Sequence, residues 1–187
     1  MNSLPIRLIT LITIILTAAL FRLVPHWPNF TPIAALALFG AATFERKWLG
    51  LVAPLGAMLV SDALIGFHGS MAAVYLSFGL TWLLGVWVLT ARRSGKVTVG
   101  RIAAASVTAS VVFFLITNFA VWYGSSFYPQ NLPGLITCYV SGLAFYNGTS
   151  FFLNGLLGDL FYSAILFGGY HLLQLRFGEL RPVRVRK

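Results

Sequence analysis

Between Glu45 and Lys96 the chain reads "ERKWLGLVAPLGAMLVSDALIGFHGSMAAVYLSFGLTWLLGVWVLTARRSGK". Two apolar runs, each about 20 residues and so long enough to cross a bilayer as a helix, flank the short break "FHGS". Lys and Arg close the far end of each run, while the break holds neither. Cationic loops stay on the cytoplasmic side, so the stretch reads as one excursion outward and back. An exposed strand edge in lipid would leave backbone donors unpaired, so both runs are expected to be helices.

The same grammar extends in both directions. Apolar segments are expected at Leu8–Val24, Pro32–Phe44, Trp48–Phe67, Met71–Ala91, Arg101–Tyr123 and Ser150–Leu175. The second is short for a span and must tilt, borrow from its flanks or hide from lipid. "ERK", "RRSGKVTVGR" and the tail "RFGELRPVRVRK" are basic, whereas "PHWPNFT", "FHGS" and the long connection Gly124–Thr149 carry no Lys or Arg. The pattern predicts an all-α membrane protein of a single domain, residues 1–187. It is a bundle of six transmembrane helices with both termini cytoplasmic and a long outer loop between the fifth and sixth helices. Arg22 stands where a signal peptide would be cleaved and no A-x-A site follows, so a retained first helix is expected.

Composition agrees with this reading. Hydrophobic residues make up 58% and charged residues 9%, against about 25% charged in a soluble domain. The net charge of +9 sits at the edges of apolar runs rather than on a basic surface stripe, which argues against nucleic acid as a partner. One cysteine, Cys138, excludes an internal disulfide and a multi-cysteine metal cluster. No phosphate-binding G-x-x-x-x-G-K-[ST] loop, H-E-x-x-H pair or G-x-S-x-G elbow is present, so neither an enzyme nor a resident cofactor is expected. Small residues at four-residue spacing, Ala37/Ala41 and Ala105/Ala109, suit close helix contact.

The polar residues inside the spans are not evenly placed. Arg22, Asp62, Asn118, Trp122, Tyr123, Asn154 and Asp159 all fall toward the outward ends of their helices. An aspartate at the centre of a span costs about 2.5–3.5 kcal/mol on insertion scales, so two of them need a reason. One reading pairs them with Arg22 to pin helices together and the other has them line a pocket open to the outside; the two are compatible, since one aspartate can pair while the other faces a ligand. The first connection offers His26, Trp27, Asn29 and Phe30 on a backbone stiffened by Pro25, Pro28 and Pro32. The third adds His68, and the fifth adds Tyr146 and Asn147. The apolar middle of the fifth, Leu132–Phe145, is expected to lie in the interface or to fold over a pocket as a lid. Cys138, within it, is either a buried small hydrophobe or a soft ligand to a metal-bearing substrate.

The block "TPIAALALFGAATFERKWLGLVAPLGAMLVSDALIGF" (Thr31–Phe67), with "TNFAVWYGSSFYP" and "LLGDLFYSAILFG", resembles the substrate-binding S components of energy-coupling-factor vitamin transporters, in a bacterial subfamily. The resemblance implies six helices, cytoplasmic termini and a vitamin-like solute bound at the outer side of the bacterial inner membrane. The site residues it implies are Arg22, His26, Trp27, Asn29, Phe30, Asp62, His68, Asn118, Trp122, Tyr123, Tyr146, Asn147, Asn154 and Asp159. The partners it implies are the solute, the lipid bilayer and a transmembrane coupling subunit with its ATPases. The first helix departs from the family pattern: Leu8–Val24 has adjacent Ala18 and Ala19 in place of the alanine-x-x-x-alanine docking face. Solitary members of the family are the precedent for working without that module. The competing reading is a membrane scaffold or assembly partner that transports nothing and uses Asp and Arg only as structural pairs.

Overall fold

The computed structural model describes residues 3–67, 69–90, 97–144 and 150–181; His68, Tyr146 and Asn147 lie outside the described residues. Every regular element among them is a helix. These are α1 (Ser3–Leu20), which runs on into a 3₁₀ turn at Phe21–Leu23, α2 (Ile33–Thr43), α3 (Lys47–Ile65), α4 (Met71–Thr90), α5 (Val99–Gly124), α6 (Leu132–Leu143) and α7 (Phe151–Arg176). A further 3₁₀ turn covers Gly178–Leu180. Five helical stretches are long and apolar enough to cross a membrane: Ile6–Leu23, α3, α4, α5 and α7. Their lipid-facing sides carry large apolar groups such as Leu16, Val60, Trp87, Leu115 and Ile165, all more than a third exposed. A surface of that kind suits a multi-pass membrane protein and no water-facing one.

The second apolar segment accounts for its shortness by its position. At 11 residues, α2 is about 16 Å long, roughly half the thickness of a bilayer core. It is hidden on all sides: Ala35, Leu36, Ala37, Leu38, Phe39 and Ala41 are completely buried, and α1, α3, α4, α5 and α7 all touch it. Small residues let its neighbours come close. A Cβ on Gly40 would run into the carbonyl of Gly50 on α3, and one on Gly85 of α4 would stand 2.8 Å from the Ala41 methyl. Ala105 and Ala109 of α5 join Ala34 and Leu38 in a buried cluster.

Because α2 is short, the chain must enter the bundle to reach it. The first connection does so at Asn29, whose φ of 64° is a left-handed conformation that Asn tolerates better than most residues. Phe30 and Thr31 lie against α7, where a Cβ on Gly158 would be 3.1 Å from Phe30 Cα and 3.2 Å from Thr31 N. Asn154 Nδ2 donates to the Pro28 carbonyl at 3.0 Å and ties the same loop to α7.

The long fifth connection contains a helix. Asn131 caps α6 by accepting from Gly134 N at 2.9 Å, with Pro133 in the first turn, the usual grammar of a helix start. The helix packs on the last turns of α5: Tyr139 Oη donates to the Leu115 carbonyl at 2.7 Å, and Gly142 sits against Asn118 and Phe114. Ser150 Oγ donates to the Leu143 carbonyl at 3.0 Å while accepting from Leu153 N at 3.3 Å, so one hydroxyl joins the end of α6 to the start of α7.

At the opposite end of α1 a second polar cluster forms, around Arg7. Arg7 is buried, donates to Tyr170 Oη at 3.2 Å and to the Thr43 carbonyl at 2.6 Å, and pairs with Glu45. The turn after α2 arrives deep enough to supply Glu45 and the free carbonyl of Thr43 to Arg7.

Candidate functional site

The ends of α1 and α5, the beginnings of α4 and α7, α6 and the first connection enclose a cleft of about 450 Å³, open at the Arg22 end of the bundle. Arg22, Asn29, Thr31, Asn118, Tyr128 and Cys138 bring polar atoms to its wall; Ile33, Val74, Phe113 and Phe151 supply apolar surface. Beside it lies a narrow cavity of about 20 Å³, room for about one water. The two share Asn29, Thr31, Ile33, Phe113 and Phe151, and the narrow one ends on Ser110 and Asp159.

Asp159 lies eight residues into α7, about 12 Å below its start at 1.5 Å per residue. It is 6% exposed, and its Oδ2 is 2.6 Å from Ser110 Oγ. Below it, Ser106 Oγ donates to Ser163 Oγ at 2.9 Å. Ser106 and Ser110 on α5, and Asp159 and Ser163 on α7, are each four apart, so each pair lies on one helix face. Together they form a polar seam between two otherwise apolar helices.

Asp62 is placed differently. Near the end of α3, it accepts from Arg22 Nη2 at 2.6 Å and, on its other oxygen, from Tyr75 Oη at 2.7 Å. Arg22 also donates to Ser61 Oγ and to the Met58 carbonyl. Both oxygens of Asp62 are engaged and the residue lies behind Arg22, outside the cleft wall. Asp62 is thus the aspartate that pairs with Arg22, while Asp159 is in neither ion pair among the described residues and lines the narrow cavity beside the cleft.

The remaining sequence candidates divide in the same way. Asn29 lines both cavities and donates to the Phe151 carbonyl at 3.4 Å; Asn118 lines the cleft and donates back to the Phe114 carbonyl at 2.9 Å. Asn154 positions the loop and Phe30 packs on Phe161 and Tyr162, with ring centroids 5.6 Å away in both cases. Trp122 Nε1 donates to the Pro129 carbonyl at 3.0 Å, holding the turn that leads into α6. Trp27 and Tyr123 are about two-thirds or more exposed, Tyr123 stacked on Phe119, and His26 Nδ1 reaches only the Val24 carbonyl, at 2.6 Å. Those three stand outside the cleft wall.

Cys138 is 2% exposed, with its Sγ 3.4 Å from the Asn118 carbonyl, and burial pushes its thiol up from the ordinary value. Among the described residues, no three His, Cys, Asp or Glu side chains converge on a point where a metal could sit.

Sequence reasoning missed Thr31 and the polar seam. Thr31 follows a left-handed Asn29, a conformation that composition does not announce. The seam was recoverable from the matched four-residue spacings Ser106/Ser110 and Asp159/Ser163.

A family model described as "Family of unknown function (DUF6580)" matches residues 2–182, nearly the whole chain, so the chain belongs to that family. No curated protein matches it, and no solved structure does.

Proposed function

We propose that this DUF6580 member binds a small vitamin-like solute in the cleft at its Arg22 end and takes it up across the bacterial inner membrane. In this reading six membrane-embedded helices, with α2 counted as the second, leave both termini in the cytoplasm, so that the cleft faces outward. The cleft of about 450 Å³ carries the proposal. It falls within the range typical of small-molecule sites, about 300–1,000 Å³, and mixes apolar walls with a few convergent polar groups. Asn29, Thr31, Asn118 and Tyr128 would hold the solute's polar atoms, Phe113 and Phe151 would flank its ring, and α6 would serve as the lid. Ala18 and Ala19 of α1 are buried in the core, which supports a solitary protein over one that docks on a coupling subunit and its ATPases through those alanines.

A thermal-shift screen of the purified protein in detergent, against water-soluble vitamins and other small ring-bearing solutes, tests the idea. A ligand present at one hundred times its Kd stabilises the folded form by about 2.7 kcal/mol. The shift should vanish in a cleft-filling Thr31→Trp variant whose melting without solute is unchanged. A complete screen with no shift, and cellular uptake untouched by Thr31→Trp, would sink it. The scaffold reading draws its support from the Arg22–Asp62 pair, which holds the end of α1 to α3 with Asp62 behind the cleft wall; it predicts no solute shift at all.

A further inference from the structure

Asp159 is a carboxylate in an apolar interior with no cation beside it. Among the described residues the ion pairs are Arg7–Glu45 and Arg22–Asp62, and neither reaches it. The residues that line the narrow cavity with it bring no second titrating group: Ile33 and Ala34 from α2, Ser110 and two phenylalanines from α5, Asn29 and Thr31 from the first connection; Tyr162 stands a turn further on α7, and Cys138 and Tyr139 on α6. Among the residues lining the cleft the charged one is Arg22, and it is paired with Asp62.

The hydroxyl contacts say how Asp159 is satisfied. Ser110 Oγ lies 2.6 Å from Asp159 Oδ2 and 3.0 Å from the Ser106 carbonyl. A serine has one hydrogen to give. If that hydrogen goes to the Ser106 carbonyl, as helical serines commonly arrange, the short contact with Asp159 needs a hydrogen from the acid. An ionised Asp159 takes the Ser110 hydrogen itself, whereas a neutral Asp159 donates to Ser110 and leaves the serine hydrogen to the Ser106 carbonyl; the two oxygen distances suit both states, so the same contact serves Asp159 with and without a proton. A buried charge without a partner is the costly alternative.

We infer that Asp159 is a proton-binding site, loaded from the water of the cleft through the one-water cavity and closed below by the Ser110–Ser106–Ser163 seam. In the loading step a hydronium in the cleft gives its proton to a carboxylate oxygen of Asp159. One O–H bond forms on Asp159 as one O–H bond of the hydronium breaks, a water molecule is left behind, and the net charge of the site goes from minus one to zero. The inference uses the cleft but not the solute, so it stands or falls separately from the uptake reading. A solute filling the cleft would seal the proton in, which makes Asp159 the natural point for linking uptake to a proton.

Infrared difference spectroscopy on the full chain in detergent reads this directly, because a protonated carboxyl has a carbonyl stretch apart from that of ionised carboxylates. With four acidic side chains in the chain, the assignment is tractable. Wild type at neutral pH should show a protonated-carboxyl band that Asp159→Asn lacks. That band should shift promptly in D2O and disappear on alkaline titration. Ser110→Ala should keep the band but move its frequency, which secures the assignment even if Asp159→Asn fails to fold. Superimposable spectra of wild type and Asp159→Asn, or a band untouched by Ser110→Ala, would mean that Asp159 is ionised or not the proton carrier. A band that neither exchanges nor titrates would mean that no route reaches it. Either result overturns the inference.

Discussion

Asp62 and Asp159 are the two acids within the membrane-spanning helices, both almost fully buried, and their surroundings could hardly differ more. Asp62 sits about one turn from the end of α3, with a guanidinium on one oxygen and a phenol on the other. Asp159 sits deeper, has a serine for company and looks up a narrow cavity toward the cleft. The first arrangement spends its carboxylate on holding α1, α3 and α4 together. The second leaves a carboxyl whose chemistry is still available. Equal burial therefore says little about role; what matters is which partners fill the lone pairs.

The largest effect should come from breaking the paired site. Asp62→Ala strands Arg22 in the protein, and removing one partner of a buried pair costs about 3–5 kcal/mol. Thermal unfolding in detergent should show this, and the double variant Arg22→Met/Asp62→Ala should be more stable than Asp62→Ala alone. If Asp62→Ala is harmless, the pair is not the clasp that the geometry suggests. Asn154→Ala comes next. It leaves the Pro28 carbonyl without its donor, for about 1–2 kcal/mol, and should loosen the loop roofing the Asp159 cavity, seen as faster amide exchange at Phe30 and Thr31. Asp159→Asn keeps the shape and a hydrogen-bonding group, so stability should change by no more than about 1 kcal/mol. A loss as large as that from Asp62→Ala would erase the contrast between the two acids. Thr31→Ala should be the mildest, within about 0.5 kcal/mol in unfolding, yet it should weaken any solute shift because Thr31 lines the cleft.

Much of this was legible in the residues, and for definite reasons. The expected segments Leu8–Val24, Trp48–Phe67, Met71–Ala91, Arg101–Tyr123 and Ser150–Leu175 coincide to within a few residues with α1 and its 3₁₀ turn, α3, α4, α5 and α7. Lipid requires long unbroken apolar runs, and such runs are conspicuous in one dimension. The apolar middle of the fifth connection was visible for the same reason, although its helical form depends on the Asn131 cap and the Pro133 start. Arg7 was harder. As an isolated charge in the first turns of α1 it looks like an ordinary cytoplasmic flank, and only the turn after α2 reveals that it is enclosed. The sorting of Trp27, His26 and Tyr123 away from the cleft was likewise invisible, because an aromatic in a loop has no periodicity to say which way it points.

Sequence alone determined that the chain is helical and apolar enough to cross a membrane several times, and that its two aspartates fall toward the same end of the spans. These follow from solvation, which acts on each segment separately. Tertiary structure decided that α2 is the buried centre, that Arg22 chooses Asp62, and that Asp159 is left with Ser110 beneath a cleft. Those outcomes depend on hydrogen bonds and packing between residues 40 or more positions apart, whose directions exist only once the helices have docked.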